Sequence, residues 1–221
     1  MTFALVAEGI SEHNIIIHIV ERYFRDQSIF INTKQPDIEA GKQESGGGWD
    51  RVLKYCESED LFDAVSENDY VIIQIDTDEL QNSPLNINYL GKGGKIKSNI
   101  ELYEDVLLKL QSLIKPEIFE AYKTKLIFAI CIHTIECWFL PLFYSNNHKT
   151  DTKGCLTKLN FELRRLNLDT ISTTGDKNNH QSKSAYKEAM SGWKRKSDIV
   201  KSSKHNVGFK KFVESLNTIP I

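Results

Sequence analysis

Acidic side chains follow three of the apolar segments that the sequence predicts to be strands. Ligands of open α/β sheets collect outside the carboxyl ends of the strands, so we expect these acids to converge if the strands are parallel neighbours. Grouped carboxylates repel one another unless a cation is present, and hard cations such as Mg²⁺ and Mn²⁺ prefer oxygen ligands. The acids are Glu8 and Glu12 after segment 3–7, Asp76 and Asp78 after segment 70–75, and Glu136 after segment 125–132.

The spacing of these acids suits a site for two ions. In an extended turn, the side chains of Asp76 and Asp78 point to the same side and can share one ion. Four or five acids could hold two ions about 3.5–4 Å apart, an arrangement that stabilises the attacking and leaving oxygens in phosphodiester cleavage. The acids therefore predict a site for Mg²⁺ or Mn²⁺, with two ions.

Strands alternate with helices in the segment that carries the acids. The run Tyr70-Val-Ile-Ile-Gln-Ile75 is nearly all apolar, as a central parallel strand covered on both faces requires. We expect a mainly parallel α/β domain over residues 1–145 and a small basic helical lobe over residues 146–221 packed on it. Further predicted elements are strands at 28–32 and 125–132 and helices at 12–24, 49–67, 99–115, 134–143, 152–167, 182–190 and 205–216.

The composition of the 221 residues is that of a globular protein. With 40% hydrophobic and 26% charged residues, it is unlike a disordered, collagen-like or coiled-coil chain. No apolar run approaches the ~20 residues of a membrane span. The N-terminus lacks the basic region of a signal peptide, so we expect a cytoplasmic protein. The four cysteines show no paired spacing and are expected to be buried thiols.

The net charge of −2 hides a gradient along the chain. Residues 1–90 carry 6 Lys and Arg against 17 Asp and Glu, whereas residues 177–221 carry 10 against 3. An acidic part joined to a basic part is one way to hold metal ions and a polyanion in the same molecule. Two solvated faces of opposite sign are the alternative, and charge alone does not decide between them.

Four short patches of the chain resemble a known fold. The order of strand, Glu8-Gly9-x-x-Glu12 and helix, followed by an apolar strand and Asp76-x-Asp78, resembles the Toprim fold of topoisomerases, bacterial primases and overcoming-lysogenization-defect nucleases. The segment from Ile132 to Leu140 resembles the strand–E-x-W-L-L element of a family of small stand-alone Toprim-like proteins. Similar closing helices are carried by Lys183-x-x-Tyr186, Ser197-x-Ile199-Val200 and Asn206-x-x-Phe209-x-x-Phe212-x-x-Ser215-Leu216.

The resemblance implies a metal-dependent nuclease. Glu8 would be a metal ligand or general acid/base, and Asp76 and Asp78 would be the metal-binding pair. Glu12 and Glu136 are further candidate ligands. Lys183 would steady the developing charge of the phosphate. The family context further suggests anti-phage or mobile-element defence, a partner ATPase and a homodimer, with DNA or RNA as substrate. Candidate contacts to the nucleic-acid backbone are Lys183, Lys187, Lys194, Arg195 and Lys196.

Each of these residues also has an ordinary structural explanation. Acids are favoured near helix N-termini, which would account for the glutamates, and aspartates commonly end strands. Cys131, His133, Glu136 and Cys137 form a possible zinc cluster, but no second ligand pair follows at zinc-finger spacing, so buried core residues are expected. Two other functions stay open: a non-cleaving subunit that binds metal and nucleic acid or a partner ATPase, and a phosphotransferase acting on small phosphates.

Overall fold

A parallel sheet of four strands forms the centre of the protein, which we describe from a computed structural model. The structure describes residues 1–25, 27–39, 42–43, 47–81, 85–174 and 177–220. The strand order is β2-β1-β5-β6, and a two-stranded antiparallel pair, β3-β4, follows β2. The predicted α/β fold with a helical C-terminal part is confirmed. The strands are β1 (Thr2–Val6), β2 (Phe30–Gln35), β3 (Ile38–Glu39), β4 (Lys42–Gln43), β5 (Tyr70–Asp76) and β6 (Leu126–Cys131).

The two central strands of the sheet are buried along almost their whole length. Leu5 on β1 and Ile72 on β5 are fully buried, as expected for parallel strands that are covered by helices on both faces. All pairings between the four strands are parallel. Val6 is in register with Ile73, and Asp76 is in register with Cys131. The carboxyl ends of β1, β5 and β6 therefore lie at one edge of the sheet.

Helices cover both faces of the sheet. The sequence predicted a single helix over 49–67, but an extended Ser58 divides it into two. Two short helices, at Pro116–Tyr122 and Lys196–Ser203, were not predicted. Among the described residues, no helix combines the length and apolar character needed to cross a membrane. The helices are α1 (Ile10–Tyr23), α2 (Trp49–Glu57), α3 (Glu59–Glu67), α4 (Asn99–Leu113), α5 (Pro116–Tyr122), α6 (Leu140–Phe143), α7 (Cys155–Arg165), α8 (His180–Met190), α9 (Lys196–Ser203) and α10 (Val207–Asn217).

The helices separate into two layers with separate apolar clusters. Helices α2 to α5 pack on one face of the sheet, and α1 packs on the other face together with α7 to α10. Helix α10 lies against β6 so closely that a Cβ atom on Gly208 would overlap the carbonyl oxygen of Ile130. Trp138 stacks on Phe209 of α10 with 4.5 Å between the ring centroids. The C-terminal helices thus share a core with the sheet.

The prediction of four free thiols is wrong for two of the cysteines. Cys137 and Cys155 form a disulfide, with 4.9 Å between their Cα atoms, whereas Cys56 and Cys131 are free and buried. The two bonded residues are 18 positions apart and belong to no spacing motif. The chain path brings the first residue of α7 against the 3₁₀ turn at Ile135–Trp138, a tertiary contact that the sequence pattern does not show.

Candidate functional site

Glu8 and Asp76 are joined at the carboxyl edge of the sheet. Glu8 follows β1, and its Oε1 atom accepts a hydrogen bond of 2.6 Å from the backbone N–H of Asp76. Gln74, fully buried on β5, completes the connection. Its Oε1 atom accepts from the backbone N–H of Glu8 at 3.2 Å, and its Nε2 atom donates to Asp76 Oδ1 at 2.9 Å. Glu8 and Asp76, from the first and second predicted groups of acids, are therefore held by contacts within the sheet.

Glu12 enters the same space from the first turn of α1. The helix begins after Gly9, which is extended and makes no side-chain cap. A Cβ atom on Gly9 would stand 2.7 Å from Glu12 Oε2, so the missing side chain leaves room for the carboxylate of Glu12. Glu12 is 8% exposed. The E-G-x-x-E spacing thus places one carboxyl group, from Glu8 or Glu12, on each side of the turn.

A pair of hydrogen bonds clamps the ends of β5 and β6. The backbone N–H of Thr77 donates to the carbonyl of His133 at 2.8 Å, and the backbone N–H of His133 donates to Thr77 Oγ1 at 2.7 Å. His133 adopts a left-handed conformation with φ of 63°, which turns the chain into the 3₁₀ segment. The backbone N–H of Ile135 then donates to Asp76 Oδ2 at 3.3 Å. This geometry sets Glu136 next to Asp76.

Glu136 is fully buried, and its two carboxylate oxygens differ in their hydrogen-bond partners. Its Oε1 atom accepts from the hydroxyl of Tyr186 on α8 at 2.6 Å and from Lys177 Nζ at 2.9 Å. Its Oε2 atom has no hydrogen-bond partner among the residues that the structure describes. A buried carboxylate oxygen is costly to leave unsatisfied, so this atom marks a position for a proton donor or a cation.

The carboxyl groups of Glu8, Glu12 and Asp76 hold protons more tightly than usual. Burial, together with the charges of Glu12 and Asp78, raises the pKa of Glu8 to about 8, although the hydrogen bond from Asp76 opposes the rise. Burial and the charge of Glu136 raise the pKa of Glu12. Burial and the neighbouring acids raise the pKa of Asp76 well above its usual range. Mutual repulsion therefore reaches across the whole cluster.

Glu136 differs from its acidic neighbours because it has a cation beside it. Burial alone would raise its pKa, but the charge of Lys177 and the hydrogen bonds from Lys177 and Tyr186 lower it below the ordinary value. Burial would lower the pKa of Lys177, and the charge of Glu136 and the hydrogen bond to it raise it instead. Glu136 and Lys177 therefore form an ion pair within the acidic cluster.

Asp78 lies at the solvent side of the cluster. Its side chain is exposed in the turn after β5. Its pKa is raised, first by the partial loss of solvent around it and then by the charge of Glu79. It interacts electrostatically with both Glu8 and Glu12. The structure thus brings all five predicted acids to one edge of the sheet, where Glu12, Asp76 and Glu136 are buried, Glu8 is partly exposed and Asp78 is exposed.

The lysine beside the acids is Lys177, which sequence reasoning did not select. It lies in the polar loop before α8, where neither periodicity nor motif marks one residue. Lys183, the predicted phosphate-binding residue, is exposed on α8 and lines a groove with Lys187 and residues of α1. Lys194 is also exposed, and Arg195 and Lys196 line a separate cavity at the start of α9.

The donor set of the cluster suits a hard divalent cation. Carboxylate oxygens are the preferred ligands of Mg²⁺ and Mn²⁺, and the buried Oε2 atom of Glu136 faces this acidic surrounding without a partner in the described part of the chain. As placed, no three His, Cys, Asp or Glu side chains of the described residues are close enough to hold an ion together. A bound ion would therefore require side-chain rotation.

Comparisons of this chain with protein-family models, curated proteins and solved structures found no match.

Proposed function

We propose that the protein is a divalent-metal-dependent nuclease of the Toprim kind. The observation that carries the proposal is the group of carboxyl side chains around Lys177, three of them buried, in which Glu136 Oε2 has no partner among the described residues. Such a cluster is unfavourable in the absence of cations, as the raised pKa of Glu8, Glu12 and Asp76 indicates. Because buried, uncompensated charges destabilise a fold, the need for a stable core does not explain why these carboxyl groups lie together.

Glu8, Glu12, Asp76, Asp78 and Glu136 would hold Mg²⁺ or Mn²⁺ in this proposal, with two ions accommodated by the five acids. Bound ions of this kind activate water and offset the negative charge that develops on a phosphate. Asp76 and Glu136 are fixed by backbone and side-chain donors, so they are suited to permanent ligand positions. Asp78, at the solvent side, is suited to the position nearest the substrate.

Two residues of the cluster have properties that phosphodiester hydrolysis uses. As a general acid/base rather than an ion ligand, Glu8 would be suited to proton transfer near neutral pH by its raised pKa, which is about 8 in the metal-free protein. Lys177 is one-third exposed, so its ammonium group can turn from Glu136 towards a phosphate oxygen. In the overall reaction water adds to phosphorus, its proton passes to a base, and the leaving sugar oxygen gains a proton.

The test is a cleavage assay on a mixed panel of plasmid, linear duplex, single strands and total tRNA, with Mg²⁺ or Mn²⁺ and with EDTA. The wild type is compared with Asp76→Ala/Asp78→Ala and with the surface control Asp63→Asn, after each is shown to be folded. We expect cleavage that needs the metal, is lost in the double variant and is kept in the control. Cleavage that survives the double change would show that another site or a contaminant is responsible.

A non-cleaving role is the second candidate function. It is favoured by the observation that the described acids, as placed, form no ready-made ion site, while Lys177 already neutralises Glu136. In this form the protein would bind metal and nucleic acid, or a partner ATPase, without cutting. The sequence has no G-x-x-x-x-G-K-[ST] motif, so an ATP requirement would have to come from such a partner. Binding without cleavage across the panel is the result expected for this role.

A further inference from the structure

A second charged feature lies at the opposite end of α1 from the acids. A cavity of about 460 Å³ is lined there by Arg22 and Arg25 from the end of α1 and by Arg195 and Lys196 from the start of α9. The described residues around it include no Asp or Glu. Asp198 lies 3.8 Å from Arg195 and neutralises part of its charge. The basic pocket, as we call it, therefore has a surplus of cationic side chains.

The two sides of the pocket belong to segments that run side by side in the same direction. Ser11 Oγ donates to Asn178 Oδ1 at 3.3 Å near the first turn of α1. In the middle of the helix, His18 Nε2 lies 3.0 Å from the carbonyl of Trp193. At its end, Lys196 Nζ lies 4.2 Å above the ring of Tyr23. The order of these contacts shows that α1 and the segment 178–196 stay paired from the acidic cluster to the basic pocket.

A groove follows this pairing. It has a volume of about 320 Å³ and is lined by residues one or two turns apart on a single face of α1, with lysines of α8 opposite them. Ten residues separate Glu12 from Arg22, a distance of about 15 Å along the helix axis. One acid, Glu21, interrupts the positive lining. The polar and charged lining residues are Ser11, Asn14, His18, Glu21, Lys183 and Lys187.

The position of Arg22 has a partial structural explanation. A cation in the last turn of a helix stabilises the helix dipole, and Arg22 is in the last turn of α1. That explanation does not account for Arg195 and Lys196, which approach the same cavity from a different element. It also does not account for Lys196 lying over an aromatic ring rather than extending into water. The convergence of four cations on one cavity points to an anionic ligand.

We infer that the basic pocket binds a phosphate of the same nucleic-acid strand that the acidic cluster cleaves, with the intervening strand lying in the groove. The inference rests on the proposed function, because it names the substrate path of that site. A strand of duplex-like geometry advances about 3.4 Å along the helix axis per nucleotide, so 15 Å corresponds to about four or five nucleotides, or fewer in an extended strand. Lys183 and Lys187 would contact the phosphates in between.

The experiment measures binding of fluorescein-labelled oligo(dT) and oligo(U), two to twelve nucleotides long, by anisotropy in EDTA. Cleavage is thereby excluded from the readout. The wild type is compared with Arg22→Ala/Arg25→Ala and with Lys109→Ala/Lys123→Ala. The control pair removes the same charge from helices on the other face of the sheet. The two series show whether the strand is DNA or RNA.

We expect affinity to rise with length up to about five or six nucleotides and then to level off. The Arg22→Ala/Arg25→Ala variant should bind the longer oligonucleotides about tenfold more weakly, with little change for dinucleotides. Loss of one phosphate contact on a single strand should reduce the slope of log affinity against log salt by about 0.7. The control variant Lys109→Ala/Lys123→Ala should change neither the affinity nor the salt slope.

Three results would overturn the pocket assignment. They are an equal loss of affinity in the arginine and lysine double variants, an unchanged salt slope in the arginine variant, and no binding of any oligonucleotide by the wild type. The outcome is separable from that of the proposed function. A wild type that cleaves while the arginine variant binds normally refutes the pocket alone. A wild type that never cleaves but shows the expected length and salt dependence refutes the nuclease and leaves the pocket standing.

Discussion

The Oε1 atom of Glu8 lies 2.6 Å from the backbone nitrogen of Asp76 and accepts its hydrogen bond. Glu8, two residues after the end of β1, is thus fixed to the last residue of the neighbouring strand β5, and the two carboxyl groups come to the same edge of the sheet. Gln74 strengthens this link by bonding to both residues. Because the backbone supplies the contacts, the position of the acids follows from strand register rather than from side-chain packing.

The stability of the metal-free protein should fall as the pH rises from 6.5 to 8.5. The pKa of Glu8 is about 8 in the folded protein and near 4.5 when unfolded, so between these values the folded state binds more protons and stability decreases with pH. The lowered pKa of His13, about 4, acts in the opposite direction only below about pH 6.5. Thermal unfolding in EDTA across the pH range measures the slope.

Two variants and the addition of Mn²⁺ test whether Glu8 causes this dependence of stability on pH. Glu8→Gln should flatten the slope above pH 6.5, whereas the exposed control Glu117→Gln should leave it unchanged. Saturating Mn²⁺ should also flatten it, because bound cations favour the ionised carboxylates. A slope that is the same in Glu8→Gln and in wild type would contradict the raised pKa of Glu8.

Substitution of Gly9 should affect activity much more than folding. A Cβ atom on Gly9 would meet only the end of the flexible Glu12 side chain, so Gly9→Ala should cost about 1 kcal/mol or less. The same contact displaces the Glu12 carboxyl group, and cleavage should fall at least tenfold. Glu12→Gln should give a similar loss, and Gly91→Ala, where a Cβ atom has ordinary contacts, should give none. Full activity of Gly9→Ala would remove Glu12 from the site.

Lys177, rather than Lys183, should be the lysine whose loss disturbs the acidic cluster. Lys177→Met leaves the buried charge of Glu136 without its ion-pair partner, and since Lys177 is partly exposed we expect a loss of about 1–3 kcal/mol in unfolding free energy. Lys183→Met should change stability by less than about 0.5 kcal/mol. Chemical denaturation measures both.

A double-variant cycle tests the pairing directly. Adding Glu136→Gln to Lys177→Met removes the uncompensated charge, so the double variant should be more stable than the sum of the single changes predicts. Additive losses would indicate that the two side chains do not form an ion pair in solution.

The sequence was sufficient to predict β1, β5 and β6 and the acids that follow them, whereas the β3-β4 pair was not predicted. The β-branched run before Asp76 and the apolar run before Glu136 each determined one strand, and parallel order brought their ends together. Lys177 could not be predicted because it reaches Glu136 from a polar loop 41 residues away. The disulfide depends on a tertiary contact between Cys137 and Cys155 for the same reason.

Short helices were the other features that the pattern did not reveal. The segment Pro116–Tyr122 has only seven residues, of which Ile118 is buried, so its apolar period is too short to detect. The break between α2 and α3 at Ser58 leaves the apolar pattern on both sides intact. Neither error moved a residue of the candidate site.

Binding of Mn²⁺, followed by electron paramagnetic resonance of the free ion, tests the central claim most directly. The wild type, Asp76→Asn and Glu136→Gln are titrated beside the surface controls Asp63→Asn and Glu117→Gln. We predict saturable binding by the wild type and by both controls, and binding at least tenfold weaker in Asp76→Asn and Glu136→Gln, with all proteins folded. Absence of saturable binding by the wild type, or equal binding by all five proteins, would contradict a metal site at the carboxyl edge of the sheet.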